Sequence, residues 1–242
     1  MVGRTNPGHG PGGAFAMSTT GIALSAVEFE VAWQELGLGR MPYPLVLPTA
    51  DRPVRERARE ALWRRGLWYE GPIAALAEPL GVLASGRTTV DAVGFLGGPV
   101  RALSAEDGWY GAVAVAHRAG VWVAAIPPEA LVHEIVRVTG DAPAGRGPSL
   151  TVPVEELRSG GEHAAELAAL LAERRAGGQF GCTATTGSGR RSRARTLVSW
   201  FDTPGGRYLL VREDGWVSLA PADRPRMAHR LGEVVTAPEL AR

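Results

Sequence analysis

Residues 198–223 read VSWFDTPGGRYLLVREDGWVSLAPAD, and this stretch decides the fold. It contains three short runs rich in Val, Leu and aromatic residues, separated by the sequences TPGG and EDG. Such runs between glycine-containing turns are typical of antiparallel strands joined by hairpins. The residues that follow, Met227, Leu231 and Val234, recur at helical spacing and predict an amphipathic helix.

An earlier part of the chain repeats this pattern. Residues 109–136, WYGAVAVAHRAGVWVAAIPPEALVHEIV, match residues 206–235 element for element. Each copy has a strand, a glycine turn, a strand with tryptophan near its start, a proline and an amphipathic helix, and each is preceded by helices and two further strand-like runs. The sequence therefore predicts an α+β fold built as a quasi-two-fold duplicated unit, in which antiparallel β-meanders pack with helical bundles.

The duplication sets the expected domain limits. We expect a disordered N-terminal extension over residues 1–20, an N-terminal α/β half over 21–139, a linker over 140–150 and a C-terminal α/β half over 151–242. The extension is rich in Gly, Pro and Thr and shows no periodicity. The two halves should form one compact body, joined either edge to edge or back to back, since both arrangements cover free sheet edges.

Composition excludes several classes of protein. The chain has 242 residues and a formal net charge of +1, so it carries no general basic field for nucleic acid or for an anionic membrane. Its single cysteine, Cys182, rules out an intrachain disulfide and fits a reducing compartment. No apolar run is long enough to span a bilayer, and no signal peptide is recognisable. We therefore expect a cytoplasmic protein without membrane insertion.

The chain shows no catalytic motif. It lacks the GxSxG elbow of serine hydrolases, a dinucleotide fingerprint between a strand and a helix, and the HExxH spacing of metalloproteases. The sequence therefore predicts no catalytic residues, no cofactor site and no metal site. Catalytic residues need not be adjacent in sequence, so an enzyme with dispersed catalytic residues stays an alternative.

Residues 187–195, GSGRRSRAR, hold four arginines between the first two strands of the second meander. One interpretation is a solvated hairpin tip, a second is contact with a protein partner, and a third is a nucleic-acid-binding module. The segment lacks the lysine and the following helix of a phosphate-binding loop, and it lacks interleaved aromatic residues for base stacking. The pattern favours the solvated tip, with nucleic-acid binding as the alternative function.

Three segments carry a resemblance to a known family: AVEFEVAWQELGLGRMPYPL at 26–45, RRAGGQFGCTA at 174–184 and the stretch at 198–223. The chain resembles the EspG family of actinobacterial type VII (ESX) secretion systems. The resemblance implies a cytosolic, non-enzymatic chaperone that binds the hydrophobic tip of a PE–PPE heterodimer, keeps it soluble and directs it to secretion. A related helical hairpin of the WXG100 type is the alternative cargo, and neither a monomer nor a dimer is favoured.

The resemblance also implies partner contacts in a loop of the first meander and in the C-terminal helical part. In this sequence the matching residues are Phe95, Leu96, Gly97, Gly98 and Pro99 in the loop, and Met227, Arg230, Leu231 and Val234 in the helix. An alternative for Phe95 and Leu96 is that they finish a core strand.

Overall fold

The computed structural model of the protein describes residues 20–186 and 188–237, so residues 1–19 of the predicted disordered extension lie outside the described residues. Eleven strands and seven α-helices form in the described ranges. The strands are β1 Ile22–Leu24, β2 Thr88–Phe95, β3 Pro99–Glu106, β4 Gly111–His117, β5 Gly120–Ile126, β6 Leu150–Pro153, β7 Ala176–Thr185, β8 Arg191–Arg193, β9 Leu197–Thr203, β10 Gly206–Glu213 and β11 Trp216–Pro221. The helices are α1 Ala26–Glu35, α2 Arg52–Arg64, α3 Ala74–Ser85, α4 Leu131–Arg137, α5 Val154–Arg158, α6 Glu162–Ala172 and α7 Arg224–Val235.

All the strands belong to one antiparallel sheet. Its order is β1-β5-β4-β3-β2-β7-β9-β10-β11-β6, with β8 paired to β7 beside this path. The predicted α+β fold and both four-stranded meanders are confirmed: β2 to β5 form the first, and β7, β9, β10 and β11 form the second. The sequence analysis missed β1, β6 and β8, which have only three or four residues each and therefore show no periodicity.

The two meanders join edge to edge. Every residue of β2 has a partner in β7, from Thr88 opposite Ala184 to Phe95 opposite Gly177. We call this pairing the seam. It answers the question that the sequence left open, and it covers the two long edges that separate meanders would expose.

Helices cover the two faces of the sheet unequally. On the back face, α4 and α7 pack side by side over a core that includes residues from both meanders. On the front face, α1, α2 and α3 enclose a second core over the first meander. Over the second meander, the only helices that the described residues place on the front face are α5, packed against the edge strand β6, and α6, whose Leu171 lies near Phe201 and Leu210. Part of the front face beside the seam is therefore left open.

A capping box starts α1. Ser25 accepts a hydrogen bond at Oγ from the backbone N–H of Glu28 (3.1 Å), and its own N–H donates to the Glu28 carboxylate (2.7 Å). This reciprocal capping box satisfies two backbone donors that a helix start leaves unpaired. It fixes the direction in which α1 leaves β1.

A buried arginine holds the segment between the two halves. The Arg207 side chain is fully buried and pairs with Asp202 through two hydrogen bonds of 2.6 and 2.9 Å. It also donates to the hydroxyl and the carbonyl of Thr139 (both 2.7 Å) and to the carbonyl of Gly140 (2.9 Å). The start of the predicted linker, residues 140–150, is thus anchored to β10, and α4 is tied to the second meander.

We expect Arg207→Ala to lower the free energy of unfolding by about 3–5 kcal/mol, because it leaves the Asp202 carboxylate and the Thr139 and Gly140 carbonyls without their buried partner. Urea denaturation followed by circular dichroism measures the change. Arg52→Ala is the matched control: it removes an exposed ion pair with Glu56 and should cost less than about 0.5 kcal/mol. Equal effects from the two variants would contradict a central role for Arg207.

Candidate functional site

The five loop residues singled out in the sequence form the tight hairpin between β2 and β3. Phe95 ends β2 with 54% of its surface exposed, whereas Leu96 is half-buried against the back-face core. Gly97 has a φ of 73°, in the left-handed region that favours glycine, and the Leu96 N–H donates to the Gly98 carbonyl (2.9 Å). The hairpin therefore presents Phe95 to solvent and uses Leu96 as its anchor. Of the two residues, Phe95 ends the strand but is exposed, and Leu96 packs against the core but follows the strand.

A groove lies beside this hairpin on the front face. It has a volume of about 700 Å³ and lies between Phe95 and the C-terminal end of α6, with the seam beneath it. We call it the seam groove and define it by residues that line it: Phe95, Leu171, Arg174, Arg175, Phe201 and Leu210. Leu171 and Leu210 are half-buried, and Arg174 and Arg175 are exposed. The groove therefore combines apolar side chains with a cationic rim.

Glycines form the floor of the seam groove. Gly94 of β2 lies opposite Gly178 of β7, and both pack against the ring of Trp200 on the back face. A Cβ on Gly178 would overlap that ring, and a Cβ on Gly94 would lie 3.1 Å from it. On the front face, a Cβ on Gly177 would come within 3.0 Å of Phe201. Gly177 therefore keeps the front of the floor free of a side chain, while Gly94 and Gly178 make room for the Trp200 ring beneath it.

The helix residues inferred from the family resemblance lie elsewhere. Met227 and Leu231 are fully buried and Val234 is 3% exposed, all three in the back-face core. Arg230 is partly exposed and donates to Glu213 (2.6 Å) and Glu233 (2.9 Å). The apolar stripe of α7 packs against the sheet, as is usual for an amphipathic helix, so these three apolar side chains are not accessible to a partner.

The helix that meets the hairpin is α6. Leu171 near its end lies in the seam groove, and the chain then turns into β7 through Arg175, whose N–H donates to the Asp202 carbonyl (2.8 Å). Three leucines of α6 lie at a spacing that suits one buried helix face. Leu167 is buried, while Leu170 and Leu171 are only half-buried. This incomplete burial depends on the neighbouring sheet and has no signal in the sequence.

The arginine-rich segment is not simply a solvated tip. Gly187 lies outside the described residues, but β8 pairs back onto β7. Arg193 makes two hydrogen bonds to the carboxylate of Asp91 in β2, at 2.7 and 3.1 Å, which raise the pKa of the arginine. Its guanidinium also lies 6.0 Å from the centre of the Tyr43 ring. One of the four arginines therefore links the two halves across the seam.

The described residues contain neither a reactive cysteine, nor a cluster of metal ligands, nor a helix that could span a membrane. Burial raises the pKa of the Cys182 thiol to about 12, so this cysteine is a protonated core residue at neutral pH. Within residues 20–186 and 188–237, no three His, Cys, Asp or Glu side chains lie close enough together to hold a metal ion. None of the helices in these ranges has the length and apolar character needed to cross a bilayer.

The model of one protein family, described as the EspG family, matches residues 25–233. The chain belongs to the EspG family. Among solved structures, the fold is similar to EspG5, the type VII secretion system chaperone of Mycobacterium tuberculosis, determined in complex with a PE25–PPE41 dimer. The TM-score is 0.68 at 18% sequence identity, over 89% of this chain and 96% of that chain. No curated protein sequence matches. The EspG architecture thus accounts for nearly the whole described chain.

A side-chain hydrogen bond links α6 to α5. His163 Nδ1 lies 2.6 Å from Glu156 Oε1, and this hydrogen bond raises the pKa of the histidine. A raised pKa means that the pair stabilises the fold below the unfolded value of about 6.5 and loses this effect as the pH rises through the folded value. The packing of α5 on α6, beside the seam groove, is therefore firmer in mildly acidic solution.

We expect an NMR titration of the histidine ring protons to give a pKa for His163 above about 6.5. Glu156→Gln should lower this pKa, because it removes the carboxylate that stabilises the imidazolium. Glu155→Gln, which changes the neighbouring carboxylate that pairs with Arg158, should leave it in place. An unchanged pKa in Glu156→Gln would show that the contact is absent in solution.

Proposed function

We propose that the protein is a cytosolic chaperone of a type VII secretion system that binds PE–PPE-type substrates at the seam groove. It keeps these helical proteins soluble and directs them to secretion. Membership of the EspG family and the fold shared with EspG5, a chaperone solved with its PE25–PPE41 dimer, support this function. The observation that carries it is Phe95, a large apolar side chain held at the surface beside an open groove.

The chemistry of the groove suits an apolar helix tip. Phe95, Leu171 and Leu210 offer partly exposed hydrocarbon, and fully burying one such side chain contributes about 1.5–3 kcal/mol. Arg174 and Arg175 surround this surface with charge, which gives the apolar centre and polar rim that are common in protein interfaces. An aggregation-prone cargo tip would be shielded from water in such a groove.

The hairpin residues have distinct parts in this proposal. Phe95 and Pro99 are exposed and contact the cargo, while Leu96 fixes the hairpin in the core. Gly97 and Gly98 allow the tight turn and a close approach of the partner backbone. Met227, Leu231 and Val234 act indirectly by holding α7 in place, and Arg230 lies on the outer face of that helix.

The cargo that this surface fits is a helical hairpin with an apolar tip, either a PE–PPE heterodimer or a WXG100-like protein. Binding of this kind needs neither a catalytic residue nor a cofactor, so we also propose that the protein is not an enzyme. The division into halves at 21–139 and 151–242 is part of the same proposal, with the groove formed where the halves meet.

We expect Phe95→Ser to weaken binding to a PE–PPE pair from the same organism by about tenfold or more, because the cargo tip loses its main apolar contact. Isothermal titration calorimetry measures the affinity, and size-exclusion chromatography shows the loss of co-elution. Trp109→Ser is the matched control, since it removes an aromatic side chain that is 84% exposed at the opposite end of the sheet. Failure of the unaltered protein to bind any such pair from that organism would overturn the proposed function.

A second pair of variants distinguishes α6 from α7 as the helix that contacts the cargo. Leu171→Ser should weaken binding severalfold, because it places a hydroxyl in the apolar part of the groove. Arg230→Gln should leave the affinity unchanged, because this arginine lies on α7 with Glu213 and Glu233. The opposite result in calorimetry would locate the interface on α7.

A further inference from the structure

A second groove lies at the other end of β7, where β8 approaches the turn between β10 and β11. It has a volume of about 610 Å³. We call it the arginine groove and define it by its charged lining residues: Arg190, Arg191, Arg193, Arg195, Glu213 and Asp214. The seam groove and the arginine groove share no lining residue. The two grooves are therefore separate surfaces.

The backbone of the arginine groove is fixed before any partner arrives. In β8, Arg193 pairs with Thr183 and Arg191 pairs with Thr185 of β7, and the Ala194 N–H donates to the Cys182 carbonyl (2.9 Å). The Arg193–Asp91 hydrogen bonds clamp the strand to β2 as well. Ordering this segment on binding would consequently cost little conformational entropy.

The charges of the groove are unbalanced. Glu213 is occupied, since it accepts from Thr196 (2.7 Å) and Arg230 (2.6 Å), and these contacts lower its pKa. Arg191 and Arg195 are exposed and form no ion pair with any residue that the structure describes. Asp214 is the remaining acidic side chain of the lining. Two guanidinium groups are thus available on a rigid support.

We propose that the arginine groove binds an acidic segment of a protein partner. Guanidinium groups bind carboxylates through two parallel hydrogen bonds. Arg191 lies in β8, Arg195 follows that strand, and the Ala194–Cys182 hydrogen bond holds the backbone between them. No aromatic side chain lines the groove within the described residues, so bases would find no stacking surface. The net charge of only +1 supplies no long-range attraction to nucleic acid or to an anionic membrane. This inference does not depend on cargo binding at the seam groove.

The test uses the full chain and a fluorescein-labelled decamer of glutamate, with fluorescence polarisation at low ionic strength. We expect the decamer to bind, and the double variant R191Q/R195Q to weaken its binding by about tenfold, as for the loss of charged hydrogen bonds. R57Q/R118Q is the matched control, because it removes two exposed arginines of the first half and so has the same net charge as R191Q/R195Q. The affinity of this control for the decamer should equal that of the unaltered protein.

Three results would overturn the proposal. The first is that the glutamate decamer does not bind. The second is that R191Q/R195Q and R57Q/R118Q lose the same amount of affinity for it. The third is that a thymidine decamer or phosphatidylglycerol vesicles bind more tightly than the glutamate decamer and that R191Q/R195Q abolishes this binding. Thermal unfolding of each variant verifies the fold. If R191Q/R195Q unfolds at a lower temperature than the unaltered protein, the single variant Arg195→Gln is used in its place, because residue 195 lies outside β8. This variant should weaken decamer binding at least threefold. An unchanged affinity would overturn the proposal.

Discussion

The backbone pairing of β2 with β7 is the constraint on which the rest of the structure depends. Eight consecutive residues of β2 find partners in β7, so two meanders become one sheet. The same pairing places Phe95 beside Gly177, and it brings Asp91 within reach of Arg193. The seam groove and the clamp on β8 both exist only because these two strands meet in this register. A slip of one residue would turn Phe95 to the opposite face of the sheet.

The two halves repeat the same order of strands and helix but differ in which sheet face their helices cover, and the proposed function depends on this difference. On the back face the halves are alike: α4 and α7 occupy similar positions over one continuous core. On the front face they differ, because three helices cover the first meander and, of the described helices, only α5 and α6 lie over the second. A duplicated fold has in this way gained one open surface. The repeated helices, α4 and α7, cover the shared core, whereas α6, which has no counterpart in the first half, borders the seam groove.

Much of the fold could be predicted from the sequence, because alternating runs, glycine turns and helical stripes are local signals. The repeat made the meanders visible twice, and family motifs identified the hairpin with Phe95. Contacts between distant residues were beyond reach: Asp91 and Arg193 are 102 positions apart. The sequence was also ambiguous about what covers the apolar face of α7. An apolar stripe shows that a helix buries one face, but it does not show whether the sheet or a partner covers that face, and for Met227 and Leu231 it is the sheet.

The packing of Trp200 against Gly94 and Gly178 limits which residues evolution can accept at these positions. Replacing Gly178 with alanine would push a methyl group into the indole ring and to within 2.4 Å of the Val93 carbonyl oxygen, so a smaller residue at 200 would not by itself make room for the change. A smaller residue at 200 would instead open a void beneath the floor of the groove. Across related chains, glycine should therefore be kept at 178 even where the residue at 200 differs. The floor of the groove thus constrains the backbones of β2 and β7 more tightly than it constrains the side chain beneath them.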